Sequence, residues 1–144
     1  VAELRAAVKA SHALVLVTPE YHGSISGVLK NVLDLLDFEH LEGKVVGAIS
    51  VLGGPHNSNS LHDLRRIARW CHAWVVPEQV AIGKARTAFT ARGIESQEIQ
   101  QRLVDLAESL VINTLRLNDY FGLLPNARPA IANQLGSTVI DVKG

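Results

Sequence analysis

The chain of 144 residues has no methionine, a single cysteine and only 5% aromatic residues. One thiol excludes an intramolecular disulfide. Cys71 closes a helical pattern in Trp70-Cys71-His72 and reads as a small buried apolar residue, since a reactive thiol needs a depressed pKa that no spacing encodes. Charge of one sign is lacking as well: 14 Lys and Arg offset 14 Asp and Glu. No global field therefore draws the protein to nucleic acid or to an anionic membrane. No apolar run reaches the ~20 residues of a membrane span, and the start has no secretory pattern, so the expected compartment is the cytoplasm. The six histidines, at 12, 22, 40, 56, 62 and 72, fall on separate elements with no His-Glu-x-x-His or Cys-x-x-Cys spacing, and no metal site is expected. Neither a Gly-x-Gly-x-x-Gly nor a Walker A string occurs. Gly23-Ser24-Ile25-Ser26-Gly27 fails as a nucleophile elbow because Ile25 occupies the centre.

What is present is 47% apolar residues, ample for one domain with a real core. Leu4 and Val8 mark a helix end over Ala2 to Lys9, and Ala13 to Val17 reads as a buried strand. From Gly27 to Leu36, Val28, Leu29, Val32, Leu33 and Leu36 share a helical face, with Ser26 placed to cap it. Lys44 to Val51 is apolar on both faces, as parallel strands are. The turn-rich Leu52 to Asn57 leads into a helix from about Ser58 to Cys71, with Leu61, Leu64, Ile67, Ala68 and Cys71 inward. A third extended segment, Ala73 to Val76 and Val80 to Ile82, is interrupted by Pro77. Residues 95–117 form a long helix striped by Ile99, Leu103, Leu106, Leu110 and Thr114. The sequence after Tyr120 has no sustained period and reads as an arm. This alternation predicts α/β architecture with a parallel sheet. The expected organisation is one domain over 1–118 and a C-terminal extension over 119–144.

The most informative stretch is Thr18-Pro19-Glu20-Tyr21-His22-Gly23-Ser24-Ile25-Ser26-Gly27-Val28-Leu29-Lys30-Asn31-Val32-Leu33-Asp34. A strand feeds a small-residue loop that opens into an amphipathic helix, a layout that places a ligand site at the carboxyl end of a parallel strand. This run resembles the signature loop and helix of the NAD(P)H-dependent FMN reductase family. Thr18, Pro19, Glu20, Tyr21 and His22 match its first part, and Gly27, Leu29, Lys30, Asn31 and Asp34 its second. Gly53 and Gly54, one βα unit later, match a second flavin loop. The resemblance covers roughly residues 2–115.

It implies a flavodoxin-like three-layer sandwich with a parallel sheet, FMN as bound cofactor and NADPH or NADH as hydride donor. A small-molecule electron acceptor follows, such as a quinone, an azo compound, a metal oxyanion or free flavin. A homodimer or homotetramer is implied, with no nucleic acid or membrane partner. The expected cofactor-binding residues are Thr18, Pro19, Glu20, Tyr21, His22, Gly23, Ser24, Gly53 and Gly54. No side chain is expected to act as acid or base, because the cofactor carries the chemistry. Backbone N–H groups from Glu20 to Gly23 are expected to face a polar ring edge, with Tyr21 or His22 as a wall. Glu20 either braces the loop or contacts the ring, and Ser24 and Ser26 either cap a helix or contact the ligand. His62, Arg65, Arg66 and Arg69 read as a solvated helix face, or else as recognition of the NADPH 2′-phosphate.

One departure concerns the front. Family members open with a strand and a Ser/Arg-rich phosphate loop, and nothing here corresponds to them. Together with the absent methionine and the immediate helical pattern at Val1, this gives the expectation that the N-terminal strands are missing. The alternatives to a reductase are thus a truncated, inactive domain and a one-electron flavodoxin-type carrier.

Overall fold

The computed structural model describes residues 1–55 and 58–123. In chain order the elements are α1 (Ala2–Ala10), β1 (Ala13–Tyr21), β2 (Ser24–Ile25), α2 (Gly27–Asp34), α3 (Phe38–Leu41), β3 (Val45–Val51), α4 (Asn59–Trp70), β4 (Trp74–Ile82), α5 (Ala85–Ala88), β5 (Phe89–Thr90), β6 (Gly93–Ile94) and α6 (Gln97–Leu123). The main sheet runs in the order β2-β1-β3-β4. β1, β3 and β4 are parallel, and β3 lies between the other two. That central place explains its mostly apolar sequence, since both faces of such a strand are covered.

One face carries a cluster of Leu16, Leu33, Val46, Ala48, Leu61, Leu64 and Ala68, which seats α2 and α4 on β1 and β3. The other face receives α6. A Cβ added at Gly47 of β3 would lie 2.9 Å from Leu106 Cδ1 and 3.1 Å from Leu110 Cδ1, so the missing side chain lets the helix close on the strand. Leu106 and Leu110 are buried here, and both belong to the expected stripe. Val15 and Val17 of β1, on that same face by strand alternation, remain 48% and 52% exposed.

Three local features differ from the sequence expectation, each for a physical reason. β1 does not stop at Val17 but continues to Tyr21, where His22 (φ 52°) and Gly23 (φ 76°) turn the chain back into β2. The pairs Glu20↔Ile25 and Tyr21↔Ser24 flank this two-residue turn, and positive φ at both central positions is what a type I′ hairpin requires. The stretch expected as a loop is a strand end and a hairpin. Second, Pro77 does not divide β4. The register passes from Val46↔Val75 to Ala48↔Gln79, so the proline sits in a bulge, where a missing N–H costs no ladder bond. Arg65 Nη1 donates to Val76 O and to Gln79 Oε1, both at 3.2 Å, and braces that bulge. Third, α3 closes a capping box with an unusual partner. The N3 residue is His40, whose Nδ1 accepts from Asp37 N at 3.0 Å, where Glu or Gln is the ordinary residue, and Phe38 N also donates to Asp37 Oδ1 at 2.8 Å.

At the far end of α4 the chain leaves through His72 (φ 62°), with His72 N donating to Arg69 O and Ala73 N to Ala68 O, both at 3.0 Å. These two bonds form a Schellman motif with histidine in the usual glycine position. Cys71 beside it is partly buried. Burial, and after it the Asp37 carboxylate, push its thiol pKa up, which agrees with an inert residue.

The chain divides within α6 into two units, Val1–Thr114 and a second beginning at Leu115. The helix expected to end at 117 continues to Leu123. Most of the expected 119–144 extension lies outside the described residues.

Candidate functional site

Parallel strands in register deliver their carboxyl ends side by side, and here Pro19 pairs with Val51. The segments that follow these two residues are the ones singled out by the sequence. In the first, Thr18 is fully buried, donates Oγ1–H to Pro19 O at 2.8 Å and accepts Ser26 N–H at 3.0 Å. Ser26 in turn caps α2, accepting Leu29 N–H at 3.2 Å. A buried threonine thus joins the strand end to the start of the next helix.

Glu20 points onto α4. Its Oε2 accepts Ser60 N–H at 3.1 Å and Ser60 Oγ–H at 2.8 Å. The α4 N-cap residue, Ser58, makes no side-chain cap bond. Glu20 therefore satisfies a first-turn amide from another element, with its carboxylate at the positive end of the helix. Its Oε1 is buried without a hydrogen-bond partner among the described residues, as is Ser50 Oγ on the neighbouring strand. Tyr21 is 62% exposed, and His22 is exposed in the turn. Gly23 lies close to α4, because an added Cβ would stand 3.3 Å from Asn59 Nδ2. Ser24 Oγ donates to Asp63 Oδ2 at 2.6 Å.

The second segment, Leu52 to Pro55, is fastened to the turn after β4. Leu52 N donates to Ile82 O at 3.0 Å, Ala85 N to Leu52 O at 3.0 Å and Lys84 N to Gly54 O at 2.8 Å. Among the described residues, a Cβ added at Gly53 would meet nothing within 4 Å, while at Gly54 the nearest atom is Leu52 Cδ1 at 4.0 Å. His56 lies outside the described residues. The residues picked from sequence, Thr18 to Ser24 and Gly53 to Gly54, thus fall at one end of the sheet on adjoining strands.

Other residues of this end carried no sequence signal. Ser60 and Asp63 stand 40 and 39 positions from their partners, and no periodicity connects such pairs. Arg66, read as part of a solvated face, donates from Nη2 to Asp63 Oδ1 at 2.9 Å. Lys30 pairs with Asp34 at 2.6 Å, one helical turn on. Among the described residues no cluster of His, Cys, Asp and Glu could hold a metal ion. No helix there is long and apolar enough to cross a membrane.

Parallel strands, helices on both faces and paired loops at the strand ends define a flavodoxin-like α/β protein. Residues 1–87 match the family described as NADPH-dependent FMN reductase. The NADPH-dependent FMN reductase ArsH of Rhizobium meliloti is 31% identical over 125 residues, 83% of this chain and 52% of that protein. The FMN-dependent NADPH-azoreductase of Staphylococcus aureus is 37% identical over 118 residues, 78% of this chain and 63% of that protein. A crystal structure of an oxidoreductase from Corynebacterium diphtheriae superimposes with a TM-score of 0.68 at 29% identity, over 80% of this chain and 62% of that one. The chain belongs to the NADPH-dependent FMN reductase family. It spans about half to just under two thirds of the length of these curated relatives.

Proposed function

We propose that the protein is an NAD(P)H-dependent flavin oxidoreductase that binds FMN at the carboxyl ends of β1 and β3. Hydride comes from NADPH or NADH, and a quinone, an azo compound, a metal oxyanion or free flavin is reduced. The observation that carries this reading is the pairing of Pro19 with Val51, which starts the two signature segments side by side. The residues present fit the ring portion of the cofactor. Among the described residues nothing fills the space beside Gly53, Tyr21 is available as an apolar wall, and Glu20 Oε1 is a buried acceptor without a partner there. The backbone of Glu20 to Gly23 and of Gly53 to Gly54, with the side chain of Tyr21, would hold the ring. When bound, FMN supplies the two-electron chemistry between nicotinamide and acceptor. The chain's own task is to bind, orient and shield the ring.

The test uses two flavins, FMN and lumiflavin, the latter having the ring without the phosphate. Titration of the purified protein is expected to quench the fluorescence of both saturably, and NADPH is expected to be consumed once a quinone is added. If neither flavin binds, the proposal fails. Flavin binding without NADPH oxidation points instead to a one-electron carrier.

A homodimer or homotetramer belongs to the same proposal. Val28 on α2 and Trp70 on α4 are 79% and 76% exposed. Between these helices lies a groove walled by Leu33, Leu36, Phe38 and Ile67, with Lys30, Asp34, Asp37 and Arg66 also lining it. An apolar groove bordered by charges of both signs suits a two-fold-related copy, in which one patch meets itself. Sedimentation velocity is expected to show a dimer or larger species. A monomer at every concentration would remove this part of the reading.

A further inference from the structure

We propose that Ser60 and Asp63 of α4 are positioning residues for the ring-binding end of the sheet, acting through Glu20 and Ser24. The inference rests on the flavin reading above and adds residues that neither signature segment contains.

The hairpin formed by the end of β1 and β2 has two residue pairs, far too few to hold its own geometry in water. Two long-range ties to α4 supply what the hairpin lacks. Glu20 Oε2 takes both the backbone and the side-chain donor of Ser60, at 3.1 and 2.8 Å. Ser24 Oγ donates to Asp63 Oδ2 at 2.6 Å, a short bond of the charge-assisted kind. Ser60 and Asp63 are three residues apart and so lie on one side of the helix. The other oxygen of Asp63 accepts from Arg66 at 2.9 Å, which orients the carboxylate further. Gly23 lies beside Asn59, where an added Cβ would stand 3.3 Å from Nδ2.

α4 is also the helix that follows the second segment. Its first two turns are joined through the chain to Leu52–Pro55 and through hydrogen bonds to Glu20 and Ser24. The hairpin wall of the slot is therefore anchored on α4, while the Leu52–Pro55 wall is fastened to the turn after β4. Thr18, Ser24 and the Oε2 oxygen of Glu20 are framework on this reading, and the surface offered to the ring is backbone, Tyr21 and Glu20 Oε1. Asp63 and Ser60 touch no ring and exert their effect by fixing the hairpin.

Amide hydrogen exchange on the purified apo chain, followed at residues 21–26, reads the tie directly. Lumiflavin affinity reads its consequence. Asp63→Ala, Ser60→Ala and Ser24→Ala are expected to speed hairpin exchange by roughly tenfold to a hundredfold, the scale of a lost buried hydrogen bond. Exchange at Val46 to Ile49 of β3 should stay unchanged, and lumiflavin affinity should fall by a similar factor. Asp63→Asn, which keeps an acceptor in place, should recover most of both relative to Asp63→Ala. Unchanged hairpin exchange in Asp63→Ala and Ser60→Ala would overturn the inference. So would acceleration spread evenly over β3 in all three alanine variants, because it would mark general loosening. If the wild type binds no lumiflavin while the hairpin still responds, the flavin reading falls and the tie alone stands. If lumiflavin binds equally to wild type and variants, the positioning role falls and the flavin reading stands.

Discussion

Gly83→Ala is expected to lower the melting temperature by roughly 6–12 °C, on the basis of about 3 kcal/mol of overpacking and the usual conversion for a chain of this size. The added Cβ would lie 2.2 Å from Pro55 O, 2.9 Å from Pro55 C and 3.0 Å from Gly54 O. All three contacts are with backbone, so no rotamer change relieves them. This distinguishes the site from Gly47, where the nearest atoms are side-chain methyls of Leu106 and Leu110. Relief at Gly83 requires the Leu52–Pro55 segment to move away from the turn after β4, and that motion breaks the bond from Lys84 N to Gly54 O. The loss is thus structural and functional together, since the displaced segment is a wall of the proposed slot. Thermal denaturation followed by circular dichroism measures it. A change below about 2 °C, less than 1 kcal/mol on the same conversion, would contradict the close approach.

Leu64→Ala is the second large loss, expected at about 2–5 kcal/mol for a buried leucine whose cavity the surroundings only partly fill. Leu64 is 1% exposed and packs in the cluster that seats α4 on β1 and β3. Ser60 and Asp63 lie within one turn of it, so a looser seat also loosens the ties to Glu20 and Ser24. Leu64→Met, close to volume-conserving, should cost under about 1.5 kcal/mol. Urea unfolding at constant m-value separates the two variants. A loss below about 1 kcal/mol in Leu64→Ala would show that the helix is held by something other than this core.

The parallel strands were legible because each is an apolar run whose two faces cannot both be solvent-exposed. The cap of α2 was legible because Ser26 stands directly before a periodic stretch, and it does accept Leu29 N–H. The turn at His22-Gly23 was not, since histidine is an uncommon choice at positive φ and nothing in the composition distinguishes that conformation from a loop. Nor was α3, whose capping box depends on a histidine nitrogen. Pro77 misled for a different reason: a proline interrupts a strand only where its N–H is needed, and pairing, not local sequence, decides that. At the candidate site the neighbourhood of the two segments followed from the βαβ alternation. What pins them did not follow, because Glu20 with Ser60 and Ser24 with Asp63 are tertiary pairs formed only after α4 docks.

Two glycines of this end have opposite meanings for anyone wishing to redesign it. Gly83 is sealed by a carbonyl and tolerates no added atom, whereas among the described residues nothing comes within 4 Å of a Cβ added at Gly53. A side chain at position 53 would thus occupy the room proposed for the ring, which makes it the place to plug the slot while the frame that supports it is left alone.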